Sequence, residues 1–337
     1  MTERLKDGYD VVVVGGGAAG LSGALMLARM RRSVVVIDAG QPRNAPAESV
    51  HGLLARDGTP PGELLERGRA EVRGYGGHVV NGKVTTIVRD ADGFAVQVGD
   101  QSVRAHRLLV TTGLVDVLPE IAGLRERWGR DVIHCPYCHG WEVRDQAIGV
   151  LGTGPMGVHQ ALLFRELSAD VTYFSHTTSL TAEQSEELNA RGIRMVDGAV
   201  TALEIVDDRI AGVRLSDGTV VPRAVVTVGS RMVARANFLT ALGLRPTEHP
   251  AGVGEYIPTD AAGRTDVPGV WAAGNITDLT AQVGAAAAAG AAAAAQINAD
   301  LVAKQTRRAV AAYREPFSAE SEAQLREAVL GEGRHNR

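Results

Sequence analysis

One stretch near the N-terminus, residues 10–38, restricts the fold more than any other part of this sequence. It opens with four consecutive valines, a pattern that predicts a buried strand in a parallel sheet. Gly15, Gly17 and Gly20 follow with the spacing G-x-G-x-x-G, and a helix-forming run then leads to a second apolar strand. This order of strand, glycine turn, helix and strand predicts a unit that binds a dinucleotide.

Each part of this unit has a role in binding a dinucleotide. Gly15 permits a tight turn, Gly17 lets the backbone approach a diphosphate, and Gly20 allows the helix to pack closely on the strand. The second strand ends at Asp38, whose carboxylate is placed to bind a ribose hydroxyl. A glycine-rich turn that binds no ligand would not explain why the strand, the glycines, the helix and the acid all occur at the required spacing.

A second unit of the same kind begins near residue 147. Gly152, Gly154 and Gly157 repeat the spacing between a short strand and a helix. At the place where the first unit has its acid, this unit has Ser175, His176 and Thr177, which offer neither a carboxylate for a free ribose nor an arginine for a 2′-phosphate. The second unit therefore predicts the fold but leaves two hypotheses on its ligand open. It either binds a nicotinamide cofactor or is a domain that no longer binds one well.

Two further apolar strands bracket the second unit. Leu108–Gly113 and Val270–Asn275 each end in small residues, and we expect their ends to meet beneath one bound cofactor. The chain of 337 residues also exceeds what one average core holds. We therefore predict an α/β protein with two dinucleotide-binding, Rossmann-like domains. The first comprises residues 1–117 and 238–337, and the second, residues 118–237, is inserted into it.

The sequence has two cysteines, Cys135 and Cys138, too close to staple a long loop. A C-x-x-C at the start of a helix has a lowered thiol pKa, and Pro136 suits the first helical position. Flanking His134 and His139 suggest zinc, but four ligands this close cannot readily close a tetrahedron. We therefore expect redox chemistry and no metal.

Composition excludes several classes of function. Lys and Arg number 35 against 39 Asp and Glu, a net charge of −4, so no nucleic-acid partner is expected. Residues 1–10 are charged and contain no apolar signal segment. The apolar run 284–295 consists of Ala and Gly, which indicates a packed helix rather than a membrane span. We expect a cytoplasmic protein without membrane contact. Glycine is abundant, at 40 residues, which indicates backbone brought close to a ligand.

Over about residues 8–302 the sequence resembles the low-molecular-weight thioredoxin reductase family of flavoproteins. The resemblance consists of both glycine motifs, the C-x-x-C just before the second motif, and Gly274-Asn275 before a helix, in that order. It implies FAD in the outer domain, a redox-active cysteine pair on the inserted domain, and a homodimer. It also implies that Cys138 lies next to the flavin and that Cys135 exchanges with the substrate.

The chain departs from the family's usual pattern at three places. His139 replaces the Asp that follows the second cysteine, Ser175-His176-Thr177 replaces a His-Arg-Arg cluster for NADPH, and Asn275 replaces an Asp. The first two departures resemble the FAD-dependent dithiol oxidases of the gliotoxin and holomycin type. Those enzymes close a small-molecule dithiol into a disulfide and pass the electrons to oxygen. NADP binding is doubtful on this resemblance.

The resemblance assigns His139 or His134 as the acid/base group beside the catalytic Cys135 and Cys138, and either histidine can instead be structural. His51 lies where relatives contact the flavin, although an ordinary loop histidine is an equal reading. The motifs and the resemblance together predict the FAD-binding residues Gly15, Gly17, Ala18, Ala19, Gly20, Asp38, His51, Thr112, Gly113, Gly274, Asn275, Gln282, Val283 and Gly284.

Two rival functions stay open. One is a reductase that moves electrons from NADPH or ferredoxin to a thioredoxin-like protein. The other is a flavin-bound redox sensor with little turnover. Beyond Lys304 the chain is longer than the family's usual length, and residues 313–330 form a possible amphipathic segment with Phe317, Leu325, Ala328 and Val329 on one face.

Overall fold

The structure is a computed structural model that describes residues 5–314 together with residues 322, 323 and 326. The amphipathic segment expected over 313–330, with Phe317, Leu325, Ala328 and Val329, lies almost wholly outside the described residues.

Six α-helices and 19 strands make up the described part of the chain, with three short 3₁₀ helices between them. The helices are α1 (Ala18–Arg29), α2 (Pro61–Gly74), α3 (Pro136–His139), α4 (Gly157–Phe164), α5 (Ala182–Ala190) and α6 (Val283–Arg314). The strands are β1 (Gly8–Val14), β2 (Val34–Asp38), β3 (His78–Asn81), β4 (Val84–Asp90), β5 (Gly93–Val98), β6 (Gln101–Val110), β7 (Leu114–Val117), β8 (Val132–Ile133), β9 (Ile148–Leu151), β10 (Val171–Phe174), β11 (Arg194–Val196), β12 (Val200–Val206), β13 (Arg209–Leu215), β14 (Val220–Pro222), β15 (Val225–Val228), β16 (Arg231–Ala234), β17 (Thr247–Glu248), β18 (Gly254–Tyr256) and β19 (Val270–Ala272).

The largest sheet has the order β3-β2-β1-β6-β5-β4, with β19 paired to β6. β1 pairs in parallel with β2 along one edge and with β6 along the other. The valines of β1 alternate between two cores, with Val11 and Val13 on one face and Val12 and Val14 on the other. Burial on both faces is the reason why this strand has an unbroken apolar sequence.

Helix α6 packs against α1 through backbone contact. A Cβ added at Gly290 would lie 1.9 Å from the carbonyl oxygen of Ala19, and one at Gly23 would lie 3.0 Å from the carbonyl oxygen of Gly290. Side chains larger than these would separate the two helices. The Ala and Gly content of this part of α6 therefore serves helix packing, as the sequence indicates.

The second parallel sheet has the order β11-β10-β9-β15-β8. All of its pairings are parallel, and α4 and α5 connect its first strands as in a dinucleotide-binding unit. The two parallel sheets confirm the predicted α/β class with two Rossmann-like units. The limits of the two domains, at residues 117/118 and 237/238, stay a prediction.

A smaller four-stranded sheet joins the two places where the chain passes between these units. β7 pairs antiparallel with β16, and β18 and β17 extend the sheet from β16. A separate three-stranded meander, β12-β13-β14, packs beside the second parallel sheet. The crossing strands β7 and β16 bring the cysteine segment over the carboxyl ends of β1 and β6, where the candidate site lies.

Candidate active site

Two glycines of the turn after β1, Gly15 and Gly20, leave no room for a side chain. Gly15 has φ +106°, and a Cβ there would lie 2.5 Å from the carbonyl oxygen of Thr111. At Gly20 an added Cβ would lie 1.9 Å from the carbonyl oxygen of Gly15, so this glycine packs α1 on β1. Gly17 is the N-cap of α1 and has open space beside it. The free N–H groups of the first turn of α1 form a site for an anionic group.

Asp38 lies at the carboxyl end of β2, directly over the glycine turn. A Cβ added at Gly16 would lie 2.6 Å from Oδ2 of Asp38. Oδ2 also accepts from Nη2 of Arg69 at 3.1 Å, and Oδ1 accepts from the N–H of Gly40 at 3.2 Å. The carboxylate is thus held beside the turn. This position is the one that a ribose-binding acid needs.

One cavity of about 1790 Å³ connects the glycine turn with the cysteine segment. Its wall includes most of the residues predicted from sequence, namely Gly15, Gly17, Ala18, Ala19, Asp38, His51, Thr112, Gly113, His134, Cys135, Cys138, His139, Gly274, Asn275, Gln282 and Val283. Gly20 and Gly284 are not in this wall: Gly20 is buried under the turn, and Gly284 lies beside Leu53. Ala286 lines the cavity from the first turn of α6 instead.

The two bracketing strands meet as the sequence indicates. β19 runs parallel to β6, with Ala272 opposite Val110, so the turns that follow these strands lie side by side. Gly274 has φ +78°, a conformation that favours glycine. The amide nitrogen of Asn275 donates to the carbonyl oxygens of Asp278 at 3.1 Å and Ala281 at 2.9 Å. Its amide oxygen is therefore the group left to accept from a ligand hydroxyl.

The C-x-x-C lies at the start of α3. Cys135 is the N-cap and Pro136 is the first helical residue, as the sequence predicts. Both cysteines are half-buried free thiols that line the cavity. The thiol of Cys138 donates to the sulfur of Cys135, and this bond, joined by N–H groups of Cys138 and Tyr137, lowers the pKa of Cys135 to about 7. The same bond, together with burial, raises the pKa of Cys138. The lowered pKa expected of the motif is thus found at Cys135 alone.

His134 is the better placed of the two candidate bases. Its Nδ1 lies 3.2 Å from the carbonyl oxygen of Val228, so Nδ1 carries the proton and Nε2 keeps a free lone pair. Burial lowers the pKa of His134, which keeps the ring neutral at pH 7. The side chain of Gln160 donates to the backbone oxygen of His134 at 2.6 Å and holds the segment in place.

His139 follows the second cysteine. Its Nε2 is buried and has no hydrogen-bond partner among the described residues. Burial lowers the pKa of His139, although the charge of Glu142 opposes this. His51 lies between two carboxylates, with Nδ1 3.3 Å from Asp57 and Nε2 3.4 Å from Glu142. The His51–Glu142 pair connects the loop after β2 to the segment that follows α3.

The second glycine turn has a different surrounding. A Cβ added at Gly152 would lie 2.4 Å from Oγ1 of Thr178 and 2.5 Å from the hydroxyl of Tyr173, so these two side chains pack against Gly152, whereas Gly154 has open space beside it. His176, at the position where the family's basic cluster stands, accepts from the N–H of Val200 at 3.0 Å. Burial lowers the pKa of His176. A neutral, already bonded histidine is a poor partner for a 2′-phosphate.

Two arginines near the cysteines were not predicted from the sequence. Arg43 makes a two-bond ion pair with Asp116, with both distances 2.7 Å, and Ser230 donates to the same carboxylate at 2.6 Å. Arg235 donates from Nη1 to the carbonyl oxygen of Gln41 at 2.7 Å. These residues come from segments far apart in sequence and match no motif, so no sequence signal indicates them.

Residues 9–295 match the profile of the pyridine nucleotide-disulphide oxidoreductase family. The chain belongs to this family. A thioredoxin reductase named tcpT from Claviceps purpurea (strain 20.1) is 30% identical over 283 residues, which cover 79% of this chain and 86% of the relative. A thioredoxin reductase named sirT from Leptosphaeria maculans is 29% identical over 286 residues and covers the same shares.

Solved structures give the same result. The crystal structure of HlmI superposes with a TM-score of 0.87 at 46% identity, covering 94% of this chain and 99% of that one. An oxidoreductase from Agrobacterium tumefaciens superposes with a TM-score of 0.82 at 36% identity, covering 87% and 98%. The family, the cysteine pair and the cavity together make this chain a flavin-dependent thiol–disulfide oxidoreductase of the thioredoxin-reductase-like type.

The first nucleotide site fits a flavin dinucleotide by its own geometry. The open space at Gly17, the N-terminus of α1, and the free oxygen of Asn275 lie along one cavity that ends at the cysteines. In the part of the chain that the structure describes, no helix has the length and apolarity needed to cross a bilayer. The same described residues contain no cluster of His, Cys, Asp and Glu that could hold a metal ion.

Proposed function

We propose that this protein is an FAD-dependent dithiol oxidase that closes a small-molecule dithiol into a disulfide. The observation that carries the proposal is the single cavity shared by the cysteine pair and the first glycine turn. Gly15, Gly17, Ala18, Ala19 and Asp38 would hold the diphosphate and ribose of FAD, with Thr112, Gly113, Gly274 and Asn275 toward the flavin. When bound, FAD takes two electrons from the reduced cysteine pair and passes them to oxygen.

The chemistry begins with the pair as a disulfide. A substrate thiolate attacks the sulfur of Cys135, and Cys138 leaves as a thiolate. The second substrate thiol then attacks the substrate sulfur of this mixed disulfide and releases Cys135. The substrate loses two electrons and two protons, and the cysteine pair gains the two electrons. The lowered pKa of Cys135 favours its release, because a thiol of low pKa is the better leaving group.

His134 is suited to accept the proton of the substrate thiol. Its Nε2 carries a lone pair at neutral pH because Nδ1 donates to Val228 and burial disfavours the charged ring. His139 lies beside Cys138 in sequence, and its buried Nε2 is available for a second proton transfer. The two histidines thus take separate positions around the cysteine pair.

Two observations favour an oxidase over an NADPH-dependent enzyme. Residues 175–178 include no Arg or Lys, and His176 is already bonded to β12. Neither feature leaves a charged group for the 2′-phosphate of NADPH. We propose that the second dinucleotide unit serves as a scaffold for the cysteines and that oxygen is the electron acceptor.

The second candidate function is a thioredoxin reductase. Two curated relatives carry that name. Tyr137 and Trp141, beside the cysteines, are 68% and 67% exposed, a surface that a thioredoxin-like protein can contact. Whichever function holds, we propose a homodimer that works in the cytoplasm.

Anaerobic flavin reduction tests these functions. Purified holoprotein is mixed with dithiothreitol or with NADPH, and the loss of the flavin absorbance band is followed over time. We expect rapid bleaching by the dithiol, little by NADPH, and peroxide formation when air is admitted. Fast, saturable reduction by NADPH would contradict the oxidase and favour the reductase. If neither donor reduces the flavin, a redox sensor is the remaining function.

A further inference from the structure

Arg235 holds an unusual position above the first glycine turn. It follows β16, and its backbone is fixed at the end of β6, where its N–H donates to Gly113 at 3.0 Å and its carbonyl oxygen accepts from Thr112 at 2.7 Å. Its guanidinium reaches the loop after β2, where it donates to the carbonyl oxygen of Gln41 at 2.7 Å. The side chain therefore joins the ends of β6 and β2.

The strand between those two ends is β1. β1 pairs with β2 on one edge and with β6 on the other, so a side chain that joins β6 to the β2 loop passes over the carboxyl end of β1. Gly15 and Gly17 lie at that end, and they line the same cavity as Arg235. Arg235 and the N-terminus of α1 thus line one cavity.

Arg235 forms no direct ion pair within the described part of the chain. No Asp or Glu of the described residues comes within ion-pair distance of its guanidinium, whereas its neighbour Arg43 is neutralised by Asp116. Burial lowers the pKa of Arg235, although the charge of Asp116 opposes this. A partly buried cation without a direct ion-pair partner is costly to keep, and an anionic ligand reduces that cost.

We propose that Arg235 binds the diphosphate of the FAD, acting together with the N-terminus of α1. The inference rests on the proposed function only for the identity of the dinucleotide. The N-terminus of a helix offers about half an elementary charge, far less than the charge of a diphosphate. A guanidinium supplies a full charge and two parallel N–H donors that match phosphate oxygens. Arg235 would therefore set the affinity for the cofactor without touching the reacting sulfurs.

Binding measurements on the full-length protein freed of flavin test this inference. FAD, ADP and adenosine are titrated against the wild type, Arg235→Met, Arg235→Lys and Arg231→Met. Arg231 is a matched control, because it is the first residue of β16 and Arg235 directly follows that strand. Unlike Arg235, it is exposed, paired with Glu248 and Glu255, and absent from the cavity wall. Thermal unfolding without ligand establishes that each variant is folded.

The expected result is specific to the diphosphate. Arg235→Met should weaken FAD and ADP binding by about tenfold or more, adenosine binding should change little, and Arg235→Lys should lie between. Unchanged FAD affinity in Arg235→Met, or an equal loss for ADP and adenosine, would overturn the inference. A wild type that binds FAD but does not oxidise dithiols would end the proposed oxidase function and leave the role of Arg235 intact.

Discussion

The thiol of Cys138 donates a hydrogen bond to the sulfur of Cys135 across the first turn of α3. The bond divides the two chemically identical residues into a thiol that ionises near neutral pH and one that holds its proton. Because Cys135 is the N-cap, the N–H groups of the turn add to the stabilisation of its thiolate. The division matches the proposed roles, with Cys135 as the exchanging sulfur.

Replacing Cys138 should change the ionisation of Cys135. In the reduced wild type, alkylation of Cys135 by iodoacetamide should accelerate with rising pH and level off above its pKa of about 7, since only the thiolate reacts. In Cys138→Ala the hydrogen bond is lost, and the midpoint should move up toward the ordinary value of 9.0. Cys138→Ser keeps a donor and should move less. Mass spectrometry assigns the alkylated residue, and an unmoved midpoint in Cys138→Ala would contradict the role of this bond.

Removing either sulfur should stop catalysis at a different stage. Cys135→Ser leaves no sulfur to exchange with the substrate, and Cys138→Ser leaves none to complete the pair, so both should lose flavin reduction by dithiols. Neither residue belongs to the glycine turn, so both variants should keep FAD, as measured by the flavin-to-protein absorbance ratio. When Cys138→Ser is mixed with the disulfide form of the substrate, the Cys135 thiolate should attack that S–S bond and stay trapped as a mixed disulfide, visible by intact-mass spectrometry. Retained turnover in either variant would disprove the cysteine mechanism.

The pH profile should report His134. A neutral imidazole is the competent base, so activity is present above its pKa and is lost as the pH falls through that value. Burial places this pKa below the ordinary 6.5, so the midpoint of the acidic limb of kcat/KM for a dithiol should lie below pH 6.5. His134→Asn should lower the plateau and remove this acidic limb. His106→Asn, outside the cavity wall, serves as the control. An unchanged profile in His134→Asn would transfer the role to His139.

Two glycines of the first motif should separate packing from cofactor binding. At Gly20 an added methyl would lie 1.9 Å from a carbonyl oxygen, so Gly20→Ala should destabilise the fold by about 1–3 kcal/mol, exceeding the helix propensity gained. At Gly17 the backbone φ is −79° and the space is open, so Gly17→Ala should unfold like the wild type. Its methyl should instead weaken FAD binding.

Urea unfolding of the flavin-free protein gives the stabilities, and flavin titration gives the affinities. The roles assigned to these glycines require that Gly20→Ala lowers the stability and that Gly17→Ala lowers the FAD affinity without lowering the stability. If Gly17→Ala bound FAD as tightly as the wild type, the backbone at Gly17 would not be in contact with the diphosphate.

Local sequence was enough to predict the elements that carry the site. The valines of β1, the glycine spacing and Pro136 each set the conformation of their own neighbourhood, and the structure has a strand, a turn and a helix start at those places. The helix after the glycine turn begins at Ala18, because Gly17 acts as its N-cap. The packed helix expected over 284–295 is present as well, and its Gly290 contacts Ala19 of α1.

Contacts between distant segments could not be predicted in this way. The pairs Arg43–Asp116 and His51–Glu142 join residues that no spacing rule relates. The conformation of one helix or strand follows from the φ and ψ preferences of its own residues. The contacts between two elements depend instead on how whole sheets pack. The packing of Thr178 and Tyr173 against Gly152 belongs to the same class, because it depends on the path of a loop.

The sequence by itself determined the two nucleotide-binding units, the position of Cys135 at a helix start, and the family, because these depend on local backbone preferences and fixed spacings. The tertiary structure decided which cysteine ionises, which nitrogen of His134 is free, and where Arg235 lies. Those properties depend on burial and on a hydrogen-bond partner supplied by another segment. Only folding brings the carbonyl oxygen of Val228 to His134. Folding likewise brings the guanidinium of Arg235 to the loop after β2.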